Sequence, residues 1–337
     1  MAGFIAALGW ALRGWLPPKW ALLGTLLVVF RIGLVSYWVN SYFGGALAAG
    51  ALVLGAVGRL RGAIRTRDMT LLAAGLALLA AARPFEGVCA AIPVMISLSP
   101  GLYRAWAGKQ RKRLLLPVLT SGALLCGSFA WLAFYNYRVT GNPARMPYQV
   151  WFEQYSEAPY FLWQGEKPKV LLNAGLRAYA DFENVEMKAY RSPVVRILSA
   201  VKILTAFYWG PVIAGAVILS ARAVFLRRRW RLPVVATGIS IVMMYGVGPF
   251  FWTSHYVAPF ACAFVLLGTA SLRAVYLWLC AAFRRRAAAP QTTRAVAPAI
   301  CVSSLLAILV LVPVGLRLRD SSYAWTLPSY SGRGWCC

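Results

Sequence analysis

The chain is 337 residues long, with 60% of its positions hydrophobic and only 13% charged, and its 35 Lys+Arg against 9 Asp+Glu leave it at +26. A soluble domain averages roughly 45–50% apolar and about 25% charged, so both values exclude a soluble globular domain, and the same arithmetic excludes disorder. The positive charge sits in short clusters between long apolar runs, a pattern of membrane topology and not of a nucleic-acid interface.

A span takes about 20 predominantly apolar residues. The opening run, residues 4–16, is too short to span alone, carries Arg13 near its end and reads as half a helix. Runs 20–37 and 44–58 flank a polar, aromatic turn (Trp38, Asn40, Ser41, Tyr42) and predict a helical hairpin. Runs 69–82 and 87–103 predict a second hairpin around Arg83-Pro84-Phe85-Glu86. Five further runs, 114–137, 203–221, 232–254, 256–272 and 296–316, contain no Asp, Glu, Lys or Arg and read as spans. The expectation is an all-α, polytopic transmembrane helical protein with about nine or ten hydrophobic segments. It divides into N-terminal helices (1–134), a long loop (135–199), C-terminal helices (200–316) and a tail (317–337).

Four basic clusters set the expected orientation: Arg59, Arg61, Arg65 and Arg67; Arg104, Lys109, Arg111, Lys112 and Arg113; Arg222, Arg227, Arg228, Arg229 and Arg231; Arg284, Arg285, Arg286 and Arg294. Short cytoplasmic loops are enriched in Lys and Arg, so these turns are expected in the cytoplasm. The two polar turns, the long loop, His255 and the C-terminus then face outside. Six of the nine acids (Glu153, Glu157, Glu166, Asp181, Glu183, Glu186) lie in that long loop among Tyr148, Trp151, Phe152, Tyr155, Tyr160 and Trp163. A connection of that length is expected to be functional or folded, and short interfacial helices are predicted within it.

Cys89, Cys126, Cys262, Cys280 and Cys301 are scattered through apolar segments, where a thiol packs as a small hydrophobe, and Cys336 and Cys337 end the chain without metal spacing. With one histidine in the chain, no His-based metal site is expected, and metal dependence stays open. There is neither a phosphate-binding glycine loop nor a nucleophile elbow nor a signal-peptide pattern.

Ionisable groups at membrane depth are costly and become the candidate site. Arg83 and Glu86 straddle a proline that ends one helix and starts the next; they read either as a local pair holding a hairpin or as a phosphate-binding guanidinium oriented by a carboxylate. His255, in Trp252-Thr253-Ser254-His255-Tyr256, reads as a phosphate ligand or as one member of an aromatic belt. Arg31 lies within run 20–37 and must face protein or water, or snorkel outward. The stretch from Tyr135 through Asn136, Tyr137, Arg138, Val139, Thr140, Gly141 and Asn142 to Pro143 is dense in hydrogen-bonding groups and reads equally as a turn cap.

Taken in order, the segments containing Tyr37, Asn40 and Tyr42, then Arg83-Pro84-Phe85-Glu86, then Asn136 through Asn142, then His255-Tyr256-Val257-Ala258-Pro259 resemble bacterial polytopic glycosyltransferases of the GT-C superfamily. The likeness is to the protein-mannosyltransferase and aminoarabinose-transferase type. The resemblance implies transfer of a sugar from a polyprenyl-phosphate carrier to a lipid, glycan or protein acceptor at the outer face of a bacterial inner membrane. It implies carrier-phosphate contacts at Arg83, Arg138, His255 and Arg31, and a substrate cavity at Tyr37, Asn40, Tyr42, Asn136, Asn142 and Tyr256. The family's acidic catalytic motif, in a large first outer loop, has no counterpart here; this implies a chain lacking the N-terminal part of the family and leaves Glu86 as the candidate base. A transporter or lipid flippase and a non-catalytic scaffold subunit remain alternatives. Against the transporter, neither an internal repeat nor a pair of interrupted helices in matching halves is visible in the sequence.

Overall fold

The computed structural model describes residues 1–33, 44–108, 111–157, 173–189, 192–246 and 254–285, with positions 159, 161, 163–165, 167 and 169. Among them there is no strand, and most of them are helical. The helices are α1 (Ala2–Arg13), α2 (Pro18–Val28), α3 (Gly44–Leu60), α4 (Thr66–Ala82), α5 (Pro84–Ala107), α6 (Arg111–Thr140), α7 (Pro147–Tyr155), α8 (Ala174–Ala189), α9 (Pro193–Leu204), α10 (Gly210–Phe225), α11 (Arg231–Gly246) and α12 (Ala261–Arg285). Among the described residues four segments, Pro84–Ala107, Arg111–Thr140, Val194–Phe225 and Ser254–Ala282, are long and apolar enough to cross a membrane, and Ala2–Arg13 and Gly45–Leu60 are shorter apolar helices. The 296–316 run, the tail, and Tyr37, Asn40 and Tyr42 lie outside the described residues.

Proline punctuates the architecture. Pro18, Pro84, Pro147 and Pro193 each open a helix, where the missing N–H costs nothing and the fixed φ is already helical. The helix cannot easily continue through the residue before a proline, and Arg83 accordingly leaves α4 at φ −148°, ψ 73° and begins α5.

Glycine and alanine bring the helices close. Cβ atoms added at Gly55 and Gly58 of α3 would lie 2.4 Å and 2.5 Å from the rings of Trp10 and Trp15 of α1, and one at Gly75 of α4 would lie 2.9 Å from the Ala49 carbonyl oxygen. Small residues serve this purpose where lipid offers no hydrophobic drive between helices. α3 therefore packs on α1 and α4, and α1 lies against both α2 and α3, whereas the sequence suggested a simple hairpin of runs 20–37 and 44–58.

α12 is the centre. Every residue from 257 to 272 is buried, and α12 touches α1, α2, α3, α10 and α11. A helix apolar all round must be enclosed. By contrast α5, α6 and α10 carry large exposed apolar side chains, among them Ile96, Trp131, Ile218 and Leu219, along their outer faces. A surface of this kind belongs against lipid tails.

Two expected boundaries move. Run 203–221 is the second half of a longer segment: α9 starts at Pro193 and joins α10 through a π-helical turn at Thr205–Trp209, so the connection after α6 is shorter than 135–199. That connection does hold short helices, α7 and α8. Run 256–272 also shifts: its first residues belong to a 3-10 segment, Ser254–Phe260, and α12 extends beyond it to Arg285, while run 232–254 is described as helix over α11, to Gly246.

Candidate functional site

The break between α4 and α5 brings the first candidates together. Glu86 occupies the first turn of α5, where a carboxylate meets the positive end of the helix dipole. The Arg83 Nη1 donates to Glu86 Oε1 at 3.2 Å, with both side chains largely shielded from solvent. The corner is tight: a Cβ at Gly87 would sit 3.0 Å from the Leu79 Cβ, one turn back along α4.

The 3-10 segment before α12 supplies the opposite wall. The Arg83 guanidinium lies 5.2 Å from the centroid of the Tyr256 ring, and the His255 and Tyr256 rings are 4.3 Å apart. Cation and ring at this separation attract through the ring quadrupole. The segment is held from behind: a Cβ at Gly50 of α3 would stand 2.1 Å from the Pro259 carbonyl oxygen, and the Tyr208 hydroxyl donates to the Ser254 carbonyl at 3.3 Å. Arg83, Glu86, His255 and Tyr256, separated by some 170 residues of sequence, thus form one cluster at one end of the bundle.

The segment after α6 closes on the same corner. Phe161 packs on Phe85 at 6.1 Å between centroids and stacks on Trp163 at 4.7 Å. The Tyr148 phenol of α7, about half exposed, is held above its ordinary pKa by its partial burial and by the Glu86 carboxylate. Tyr148 is the residue that sequence reasoning left out of the site; its signal, an aromatic position in a short amphipathic helix, was shared with its neighbours. Glu157 ties this segment together, its carboxylate accepting from the Lys169 backbone N–H at 3.2 Å and from Asn184 Nδ2 at 3.0 Å.

The other candidates lie elsewhere. Arg138 is exposed near the end of α6, 5.9 Å over the Phe134 ring, and among the described residues makes no hydrogen bond, ion pair or ring contact with the cluster. Asn136 and Asn142 build the turn that ends α6. Asn136 Nδ2 donates to the Pro143 carbonyl at 3.2 Å, Asn142 Oδ1 accepts from the Ala144 N–H at 2.9 Å, and Thr140 Oγ1 donates to the Asn136 carbonyl at 2.8 Å. Gly141 takes φ +76° at this cap, as the left-handed position requires. Of the two readings offered for this stretch, the turn cap describes the observed contacts.

Arg31 does not snorkel. It sits in a π-helical turn, Val29–Gly33, at the end of α2 and reaches across to the π turn at Thr205–Trp209, donating through Nε to the Phe207 carbonyl at 2.7 Å and through Nη2 to the Ala206 carbonyl. A π turn breaks the i to i−4 ladder, and a guanidinium is well suited to meet carbonyls left there. Gly210 follows at φ +62°, and a Cβ on it would lie 2.8 Å from Arg31 Nη2. Two π turns therefore meet through one arginine.

Among the described residues no group of His, Cys, Asp and Glu is arranged to hold a metal ion. Comparison with protein-family models, with curated proteins and with solved structures finds no match.

Proposed function

We propose that this chain is a membrane glycosyltransferase-like protein, which binds a polyprenyl-phosphate-linked sugar at the extracytoplasmic face and serves its transfer to a lipid, glycan or protein acceptor. The reading includes nine or ten membrane segments in a bacterial inner membrane, with the basic turns in the cytoplasm. Its main support is the Arg83, Glu86, His255 and Tyr256 cluster at the α4–α5 break, a cation beside a carboxylate at the ends of apolar helices. A carrier phosphate needs a cation at that depth, and a planar guanidinium binds phosphate through parallel N–H bonds. In transfer, the acceptor hydroxyl oxygen bonds to the anomeric carbon, the bond from that carbon to the carrier phosphate oxygen breaks, and the hydroxyl proton passes to Glu86. Arg83 offsets the charge that develops on the departing phosphate.

The test is binding of a polyprenyl-phosphate sugar to the purified chain in detergent. Arg83→Ala and His255→Ala should each weaken it about tenfold or more, as loss of a charged hydrogen bond does, and the unglycosylated carrier should compete. A wild-type protein of verified fold that does not bind the carrier would overturn the proposal.

One observation favours a second reading, a lipid translocase: two π turns, Val29–Gly33 and Thr205–Trp209, are joined by Arg31, and irregular helix geometry beside a charged side chain recurs along cargo paths in transporters. Movement of the carrier lipid across a reconstituted bilayer without sugar transfer would select it.

A further inference from the structure

The opposite end of the bundle carries a second organised cluster, unrelated to the polar corner. The turn after α3 and the turn between α10 and α11 belong to different basic clusters in the sequence, and the fold joins them. Arg61 Nη1 donates to the Arg229 carbonyl at 2.8 Å, and Arg229 Nη2 donates to the Trp15 carbonyl. Trp15 and Trp230 stack at 6.2 Å between centroids, and each carries a guanidinium on its face: Arg61 lies 5.0 Å from the Trp15 ring and Arg229 lies 5.4 Å from the Trp230 ring. Both arginines are exposed while both indoles are buried.

Two like charges held this close oppose each other. Burial and the Arg229 charge both push the Arg61 guanidinium below its ordinary pKa. A guanidinium has five N–H donors, and among the described residues Arg61 and Arg229 each commit one to a backbone carbonyl. Folding therefore holds two cations together, on rigid aromatic supports, and among the described residues most of their donors are uncommitted and no acid is paired to either. Repulsion of that kind is relieved by a shared anion.

We propose that this end of the bundle binds the phosphate of an anionic phospholipid headgroup, held between Arg61 and Arg229 and bordered by Trp15 and Trp230. The membrane supplies the ligand at the right depth: tryptophan settles at headgroup level, and the flanking apolar helices place the acyl chains alongside. A general surplus of basic residues in a loop would attract the same lipids diffusely. The distinguishing claim is that this pair, and not the neighbouring Arg65 and Arg67, forms the site.

The experiment is native mass spectrometry of the detergent-purified chain titrated with phosphatidylglycerol, phosphatidylcholine or inorganic phosphate. Phosphatidylglycerol should bind about tenfold or more tightly than phosphatidylcholine, and millimolar inorganic phosphate should not displace it. R61Q with R229Q should lower that affinity on the order of 25-fold, while R65Q with R67Q, of equal charge, should lower it less than about fivefold. Equal affinity of the wild type for the two lipids would overturn the proposal, and so would full displacement by inorganic phosphate, which marks a soluble-anion site. Equal losses in the two double variants would reduce the site to diffuse charge and overturn it too. The wild-type comparisons stand even where a glutamine variant fails to fold.

Discussion

Replacing Gly50 with Ala tests how the fold builds the polar corner. The added methyl carbon would lie 2.1 Å from the Pro259 carbonyl oxygen and 2.8 Å from its carbonyl carbon, against the 3.4 Å or more of an ordinary contact. Both partners are backbone, so no side-chain rotation relieves the clash, and α3 and the Ser254–Phe260 segment must separate by more than 1 Å. Forced overpacking of this kind costs about 1–3 kcal/mol, partly countered by the better helix propensity of alanine. The net loss of about 1 kcal/mol should lower the thermal midpoint in detergent by about 1–2 °C, followed by tryptophan fluorescence. Because the displaced segment carries His255 and Tyr256 against Arg83, carrier binding should weaken in the same variant. Gly127→Ala, on the exposed face of α6 with nothing within 4 Å, is the control: it should raise the midpoint slightly through the helix propensity of alanine alone and leave carrier binding at the wild-type level. A Gly50→Ala protein with an unchanged midpoint would refute the close approach of α3 to Pro259.

Glu86→Gln removes the negative charge beside Arg83 while keeping a hydrogen-bonding side chain, so the carrier phosphate should bind several-fold more tightly; weaker binding would argue against Arg83 as its ligand. Arg31→Met leaves the Ala206 and Phe207 carbonyls without their guanidinium donor and should destabilise the protein by about 2 kcal/mol. Gly210→Ala should also destabilise, through its φ of +62° and the approach to Arg31, and should cost less in the Arg31→Met background; strictly additive losses would contradict the contact. For Tyr148 the sign follows from a folded-state pKa raised above 10: its contribution to stability is complete below about pH 10 and is lost as pH rises through the folded value. Glu86→Gln should move the Tyr148 ionisation to lower pH, read as a difference in phenolate absorbance against Tyr148→Phe.

Much of this was legible in the sequence for a physical reason. Uncharged runs such as 114–137 and 256–272 have one way to satisfy their backbone in lipid: α6 extends through the first, and the Ser254–Phe260 segment with α12 through the second. The Arg83 and Glu86 pair was equally readable, because a proline breaks the chain between them and three residues of helix separate them in space. The meeting of Arg83 with Tyr256 is a tertiary fact that no local pattern encodes. For Arg31 the sequence left open whether it faces protein or water or snorkels, because its partners are carbonyls some 175 residues away, beside a π turn that leaves no compositional trace. Helix ends slipped where propensity changes little: α9 runs back through Val194 and Val195 to Pro193, residues that hydropathy alone could assign to either side of a boundary. The Asn136 to Pro143 stretch looked rich because caps and binding sites use the same polar residues.

The enclosure of α12 has a consequence for biogenesis. The helix is made late in the chain, yet it fills the groove bounded by α1, α2 and α3, which are made first. Those early helices must wait in the bilayer with small-residue faces and the carbonyl-seeking Arg31 unmet until the second half of the protein arrives. Assembly is therefore closed by the later half of the chain, and single cysteines placed on the faces of α2 and α3 that meet α12 should react with a membrane-permeant thiol reagent in a ribosome-bound chain halted before Ala261 and be shielded in one released beyond Arg285.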